Sequence, residues 1–407
     1  MSIDVREWLK AIGPGFIIAA VVIGPGSITV ASKIGSVYGY SLLWVLVIAA
    51  VGMGMYTSMS ARYGVSHRES ILQTIAHEYG RWFAVLIGIA SFTAGTSFQF
   101  GNNLGVATAM QALTGIPETV WPLIFTPLGI ILVFWARNLY KLLEKIILVL
   151  VTTMIFAFFA NLIFAKPDLA QLLKGFVPLS VPASSFNELA ALVGTTFVLH
   201  ACLYQAYLVQ DKGWNESDLR RGLRDTITGI IILSLITTLV IATSAAALHP
   251  RHIVVTSAAD MALQLEALFG RFAKYIFSAG LWAAAFSSLV VNAIISGGLL
   301  ADALGLGRTM EERAPKVFTA LTMLIGMMVA VFFRGNVVYA LVLAQASSLF
   351  GVPAIGIGLF LLLNNRKVMG SLRNNLAQNV VALLGLILIL IMVYRMWSRL
   401  ISFLAGL

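Results

Sequence analysis

A small set of polar side chains stands in apolar surroundings and could do chemistry there. Ser27 and Thr29 follow Gly24-Pro25-Gly26, and Gln99, Asn102 and Asn103 share one apolar run. Thr195, Thr196 and His200 share another, and Asn292 and Gln345 each sit in a run of their own. Hydroxyl, amide and imidazole groups are costly to bury without a partner, so this set points to a place where a polar solute or an ion is handled. No aspartate or glutamate falls in the middle of an apolar run; Glu69, Glu144, Asp211 and Asp302 lie near run ends. A transition-metal ion stripped of its water needs replacement ligands and a compensating charge, which neutral dipoles supply poorly. They suit a solute that keeps its own water, as Mg²⁺ tends to, or one without charge. Glutamine and asparagine cannot carry a proton onward, and His200 alone of the set titrates near neutral pH. Bland readings stand beside these. Thr195 and Thr196 can bond to their own helix, the amides can hold helices together, and His200 can make one interhelical hydrogen bond. Lys33 either reaches toward the outer interface or sets a fixed positive charge that repels cations. Neither a nucleophile with a base nor an acid–base pair occurs at useful spacing, so the chain does not read as an enzyme, and no cofactor is expected.

The elements that must position these residues are membrane spans. Of 407 residues, 59% are hydrophobic and 11% charged, against roughly a quarter charged in soluble domains. Apolar runs long enough for about 20 helical residues predict an all-α membrane protein with about eleven spans. They fall near 11–37, 40–61, 84–114, 118–136, 140–165, 187–210, 222–248, 272–300, 314–333, 335–363 and 376–400. The net charge of +10 does not imply a nucleic-acid partner, because lysine and arginine sit in the short loops between runs. Eighteen of the 27 fall on the side of the N-terminus and eight on the other, with Lys33 inside the first run. This bias predicts a cytoplasmic N-terminus and an external C-terminus in a bacterial-type inner membrane. Met1–Lys10 is polar and no small-residue cleavage site follows, so no cleavable signal is expected. The lone cysteine, Cys202, excludes an intrachain disulfide and reads as a small apolar residue.

Two runs are interrupted. Gly24-Pro25-Gly26-Ser27 places a missing donor and two permissive glycines mid-span. Five spans later the polar stretch Thr195 to Cys202 predicts a second break near 198–201. Broken first helices in two five-helix halves are the mark of an inverted-repeat carrier that holds its substrate between the breaks. The expected organisation is a first repeat over 1–165, a second over 187–363, and one extra helix over 376–400.

The chain resembles the NRAMP family of divalent-metal transporters. Gly24-Pro25-Gly26-Ser27 through Gly35-Ser36-Val37-Tyr38-Gly39-Tyr40 is similar to the family's DPGN segment and its GSxFGY ending. Tyr140 to Lys145 looks like the charged start of helix 5, His200 falls on the histidine of the MPHN motif, and Leu341 to Pro353 matches helix 10 with Gln345. The resemblance implies a leucine-transporter-type fold, two inverted five-helix halves plus one helix. It also implies substrate-binding positions at Gly24, Ser27, Thr195, Val198, His200 and Gln345, where a metal ion would be held if one is held. At Gly24, Ser27 and Val198 the family carries the aspartate, asparagine and methionine that coordinate metal, and at Gln99 and Asn102 the acids that relay protons. All of these acids are absent here. The expected function is therefore alternating-access transport of a hydrated or weakly held divalent cation of the Mg or Mn class, without proton coupling. The partners expected are the lipid bilayer and that cation or a small solute. The alternatives are a carrier of an uncharged or organic solute, and a transport-inactive receptor or structural membrane protein.

Overall fold

In the computed structural model, residues 13–15, 18, 22–135, 137–178, 185–333 and 335–405 are described. Arg6, Lys10 and Arg334 lie outside them, as do the side chains of Tyr140–Lys145 and Arg399. The described residues form helices and connecting turns, with no strand among them. In chain order the main helices are α1 (Pro25–Tyr38), α2 (Leu43–Ser66), α3 (Arg81–Thr114), α4 (Val120–Phe134) and α5 (Arg137–Ala165). Then come α6 (Phe186–Thr196), α7 (Leu199–Asp211), α8 (Leu219–Ala247), α9 (Ala273–Ala303) and α10 (Arg313–Phe332). The chain continues through α11 (Val337–Ser347) and α12 (Val352–Asn364) to α13 (Leu376–Ala405). Among the described residues, eight helical stretches are long and apolar enough to cross a membrane, and Val120–Phe134 and Val149–Ala165 are shorter apolar helices.

Backbone donors and acceptors cannot be left open in lipid, so each break has a local cause and a protected place. Between residue 22 and α1 the helix is interrupted at Ile23 and Gly24, and Pro25 begins α1, where its missing N–H costs nothing. The second interruption is at Phe197 and Val198, which have extended-side ψ values of 69° and 84° between α6 and α7. A third, not expected from the sequence, divides the 335–363 run. A 3₁₀ turn over Ser348–Gly351 joins α11 to α12. Pro353 lacks the N–H that would bond the Leu349 carbonyl in a continuous helix.

Packing positions these breaks at the centre. The broadest helix–helix contact is between α3 and α9. The half-helix α1 packs chiefly on α8, and the half-helix α7 chiefly on α2, while α2 and α8 pack on one another. The pairings are reciprocal: the span broken into α6 and α7 meets α2 much as the broken span of α1 meets α8. The outer faces of α5, α8, α10 and α13 expose large apolar side chains such as Phe156, Phe159, Ile231, Leu235, Phe332 and Leu384, as lipid-facing surfaces do.

Candidate functional site

The two breaks meet. Ser27, in the first turn of α1, donates from Oγ to the Val22 carbonyl at 2.5 Å. Its oxygen is 2.7 Å from Thr195 Oγ1 on α6. Ser27 has one hydroxyl proton and spends it on Val22, so Thr195 is the donor across the gap. A sequence separation of 168 residues is thereby closed by one buried hydrogen bond.

Around that bond stand side chains from α3, α9 and α11. Gly24 lies against α3 and α9: a Cβ there would sit 3.0 Å from Ser288 Oγ and 3.6 Å from Asn102 Oδ1. Gly26 has no side chain because Gln345 of α11 fills that space, and an added Cβ would overlap the Gln345 amide. The same amide lies close to Gly101 of α3. His200, second residue of α7, has Nε2 3.4 Å from Asn292 Oδ1 of α9, and its ring lies 5.5 Å from that of Phe98. Val198 is the residue before α7 and is buried, with its carbonyl accepting from Cys202 N.

The positions singled out from the sequence divide into two groups. Gly24, Ser27, Thr195, His200, Gln345 and Asn102 gather where the breaks meet α3, α9 and α11, and Val198 borders them. Gln99 does not join them. It faces α9 and α10, donating from Nε2 to the Leu289 carbonyl at 2.5 Å and backing on Gly326. Asn103, one turn on, follows the same face: it donates to the Gln99 carbonyl and accepts from Thr126 of α4. These two amides hold helices together, whereas Phe98 and Asn102, on the adjoining face of α3, are turned to the breaks.

What the gathered groups leave open is informative. Asn102 Nδ2, His200 Nδ1 and Gln345 Oε1 are buried without a protein partner, and so are Thr29 Oγ1 on α1 and Gln99 Oε1 on the side of α3 that faces α9 and α10. All five residues are at most 2% exposed. Most buried polar groups in native proteins are paired, so the open atoms of Asn102, His200 and Gln345 leave donors and acceptors available to a polar guest at the break. No group of three or more His, Cys, Asp or Glu that could hold a metal occurs among the described residues. Partial negative potential at the break comes from the carboxyl end of α6, which closes at Thr196.

Two features were not anticipated. Lys33 of α1 forms an ion pair of 3.3 Å with Glu188 of α6, both largely buried, and its ammonium lies 6.0 Å from the Tyr339 ring. The pair accounts for Lys33 and removes it as an unopposed positive charge. An acid in the first turn of the second broken helix was the available signal. Ser288 of α9, not singled out from the sequence, stands beside Gly24.

The sequence matches the family model described as natural resistance-associated macrophage protein-like over residues 15–398. Among curated proteins it is similar to a divalent metal cation transporter MntH of Deinococcus radiodurans, 26% identical over 409 residues, covering 97% of this chain and 91% of that protein. A divalent metal cation transporter MntH of Bacillus subtilis is 27% identical over 376 residues, covering 91% of this chain and 87% of that protein. Among solved structures, the Eremococcus coleocola manganese transporter in complex with an aromatic bis-isothiourea substituted compound superposes with a TM-score of 0.74. Its identity to this chain is 17%, with 96% of this chain and 87% of that one covered.

Proposed function

This chain belongs to the natural resistance-associated macrophage protein-like family, and we propose that it is an alternating-access carrier of a divalent cation held through its water shell, without proton coupling. One observation carries the reading: buried dipoles without partners converge on the meeting point of two broken helices, and among the described residues no buried aspartate or glutamate stands with them. A dipole-lined site can hydrogen-bond the outer face of a hydrated ion, and the helix end at Thr196 adds partial negative charge. The curated relatives, both named for divalent metal cation transport, support cation cargo. The absent acids argue against a dehydrated ion and against a relay, since Asn102 cannot titrate and Gln99 faces away from the breaks.

In this reading residues 1–165 and 187–363 form the two inverted halves and 376–400 the additional helix, giving eleven spans in a bacterial plasma membrane with the N-terminus cytoplasmic. Transport means rocking of the half-helices α1 and α7 against the α3–α9 scaffold around the fixed site.

The test is flux in proteoliposomes loaded with a metal-sensitive dye. Mg²⁺ and Mn²⁺ at millimolar levels are expected to enter, with no dependence on an imposed pH gradient and no lumenal acidification. Absence of any divalent-dependent signal overturns cation transport, and proton movement in step with metal overturns the uncoupled mechanism. Thermal stabilisation by a small organic solute and by no divalent ion would assign the site to uncharged cargo.

A further inference from the structure

Far from the breaks, two cavities lie on different faces of the same two elements. The first, of about 690 Å³, opens beside the α1–α2 turn and is lined by Tyr40, Lys166, Gln171, Lys174, His249 and His252, with Asp168 also at its wall. The second, of about 560 Å³, is almost wholly apolar and is lined by Phe156, Phe159, Leu169, Leu172, Leu235 and Leu239 among others. The segment 166–174 and helix α8 contribute to both. Along the segment, Lys166, Asp168, Gln171 and Lys174 face the polar cavity, while Pro167, Leu169 and Leu172 face the groove. Along α8, Leu235, Ile236, Leu239 and Ala242 line the groove, and Ala245 and Ala246, one turn further, line the cavity. Polar and apolar compartments therefore meet along one short helix, Leu169–Lys174.

We propose that the cavity and the groove form one binding site for an anionic phospholipid, with its phosphate among Lys166, Lys174, His249 and His252 and an acyl chain along α5 and α8. Three observations favour this occupant over bulk lipid.

The first is charge. Asp168, the one acid at the wall, accepts from the backbone N–H groups of Ala170 and Gln171, each at 3.0 Å. Those bonds hold its carboxyl below the usual range, so its charge is spent on capping the helix. The two lysines and His252 remain to meet an anion, while His249 at the same wall spends its Nδ1 proton on the Ser36 carbonyl at 3.0 Å.

The second is backbone. Among the described residues other than glycine, Lys166 and His252 alone have positive φ, 46° and 52°. Both line this cavity, and that conformation is held at a cost for residues with a Cβ. Two basic side chains from separate segments thus line one space.

The third is shape. A soluble anion needs the polar cavity only, whereas an apolar groove next to a basic cavity, with one short helix between them, matches a molecule with a charged head and a hydrocarbon tail.

The experiment compares thermal unfolding of the purified full chain in neutral detergent with added phosphatidylglycerol or phosphatidylcholine of the same acyl chains. Native mass spectrometry reads the retained adducts. Phosphatidylglycerol is expected to raise the midpoint by several degrees beyond phosphatidylcholine and to persist as a one-to-one adduct. The variant Lys166→Glu with Lys174→Glu should weaken that preference at least tenfold while melting like the parent in phosphatidylcholine. Filling the groove with Leu239→Trp should weaken phosphatidylglycerol with the basic cavity intact. Equal stabilisation by both lipids, or an unchanged preference in the double variant, overturns the proposal. A shift of the same size from soluble glycerol phosphate would show an anion site without a lipid tail and also overturns it.

Discussion

Replacing Gly24 by aspartate puts back a formal charge at the first break and measures how much the missing acid matters. Gly24 has φ −113° and ψ −177°, a region open to any residue, and it occupies the N-cap of α1. Aspartate is among the best N-caps, so the backbone term is neutral to favourable by a few tenths of a kcal/mol. Sterically, the new Cβ meets Ser288 Oγ at 3.0 Å, which a hydroxyl rotation and a shift of a few tenths of an ångström relieve. Charge decides the outcome. An unpaired carboxylate at mid-depth costs about 2.5–3.5 kcal/mol on insertion scales. With a divalent ion one water away, about 4.5 Å, the attraction at an effective dielectric of about 20 is about 7 kcal/mol before desolvation. Desolvation returns several kcal/mol of that. A net gain of about 1.5–3 kcal/mol remains, which is about 10- to 150-fold in affinity. Titration calorimetry should show Mn²⁺ binding at least tenfold tighter to Gly24→Asp than to the parent. The variant should melt lower than the parent without metal and recover with saturating Mn²⁺. Gly24→Asn serves as the uncharged control of the same shape. If aspartate and asparagine variants bind Mn²⁺ alike, the break is not where the ion sits and the electrostatic reasoning fails.

Other consequences are more local. Ser27→Ala removes the cross-break bond and orphans the Thr195 hydroxyl, and should cost about 1–3 kcal/mol, read as a lower unfolding midpoint. Gly26→Ala drives a methyl into the Gln345 amide and should cut divalent flux by more than tenfold, with a smaller effect on expression and folding, measured in the liposome assay. A double-mutant cycle of Lys33→Met and Glu188→Gln should give a coupling of about 1–3 kcal/mol, because each single change leaves a buried charge unopposed. Outside the membrane, Glu312 is held below the ordinary carboxylate range by the backbone N–H groups of Thr309 and Arg308. A depressed folded value means that its contribution to the 308–312 turn is present above the unfolded value and is lost as pH falls through the folded one. Hydrogen exchange of the Arg308 and Thr309 amides should therefore quicken, after correction for intrinsic rates, only in that acidic window.

The fold was readable because lipid leaves the chain few choices. Long apolar runs must be helical, and Gly24-Pro25-Gly26 announces a break that a bilayer tolerates only against protein or a watery cavity. The bend at Ser348–Gly351 was hidden because Pro353 sits in a run no less apolar than its neighbours, and prolines are common in spans without breaking them. The site was partly readable. Residue type alone placed Asn102 and Gln99 together, but they lie three apart on α3 and point to different neighbours: one to Gly24, the other to the Leu289 carbonyl. Only the packing of α9 and α10 on α3 separates them. Lys33 and Glu188 show the same limit: Glu188 is visible as an acid in the first turn of α6, but nothing in the sequence pairs it with Lys33.

The placement of that ion pair constrains how the molecule opens. Ser27 and Lys33 are six residues apart on α1, roughly 9 Å along the axis, and each is tied to α6, through Thr195 and Glu188. The half-helices α1 and α6 are thus joined twice, once at the break and once toward the α1–α2 turn. A path to the site from that end must either part both contacts or carry α1 and α6 as one body away from α8 and α11, on which they pack. Parting them strands a buried ammonium and a buried carboxylate, at several kcal/mol. Moving them together strands nothing charged. The second route is the cheaper one, and cross-linking distinguishes the two: a disulfide engineered between α1 and α6 near Lys33 and Glu188 should leave divalent flux intact, whereas one between α1 and α8 should stop it. Arrest by the first cross-link would mean that the ion pair itself is the gate.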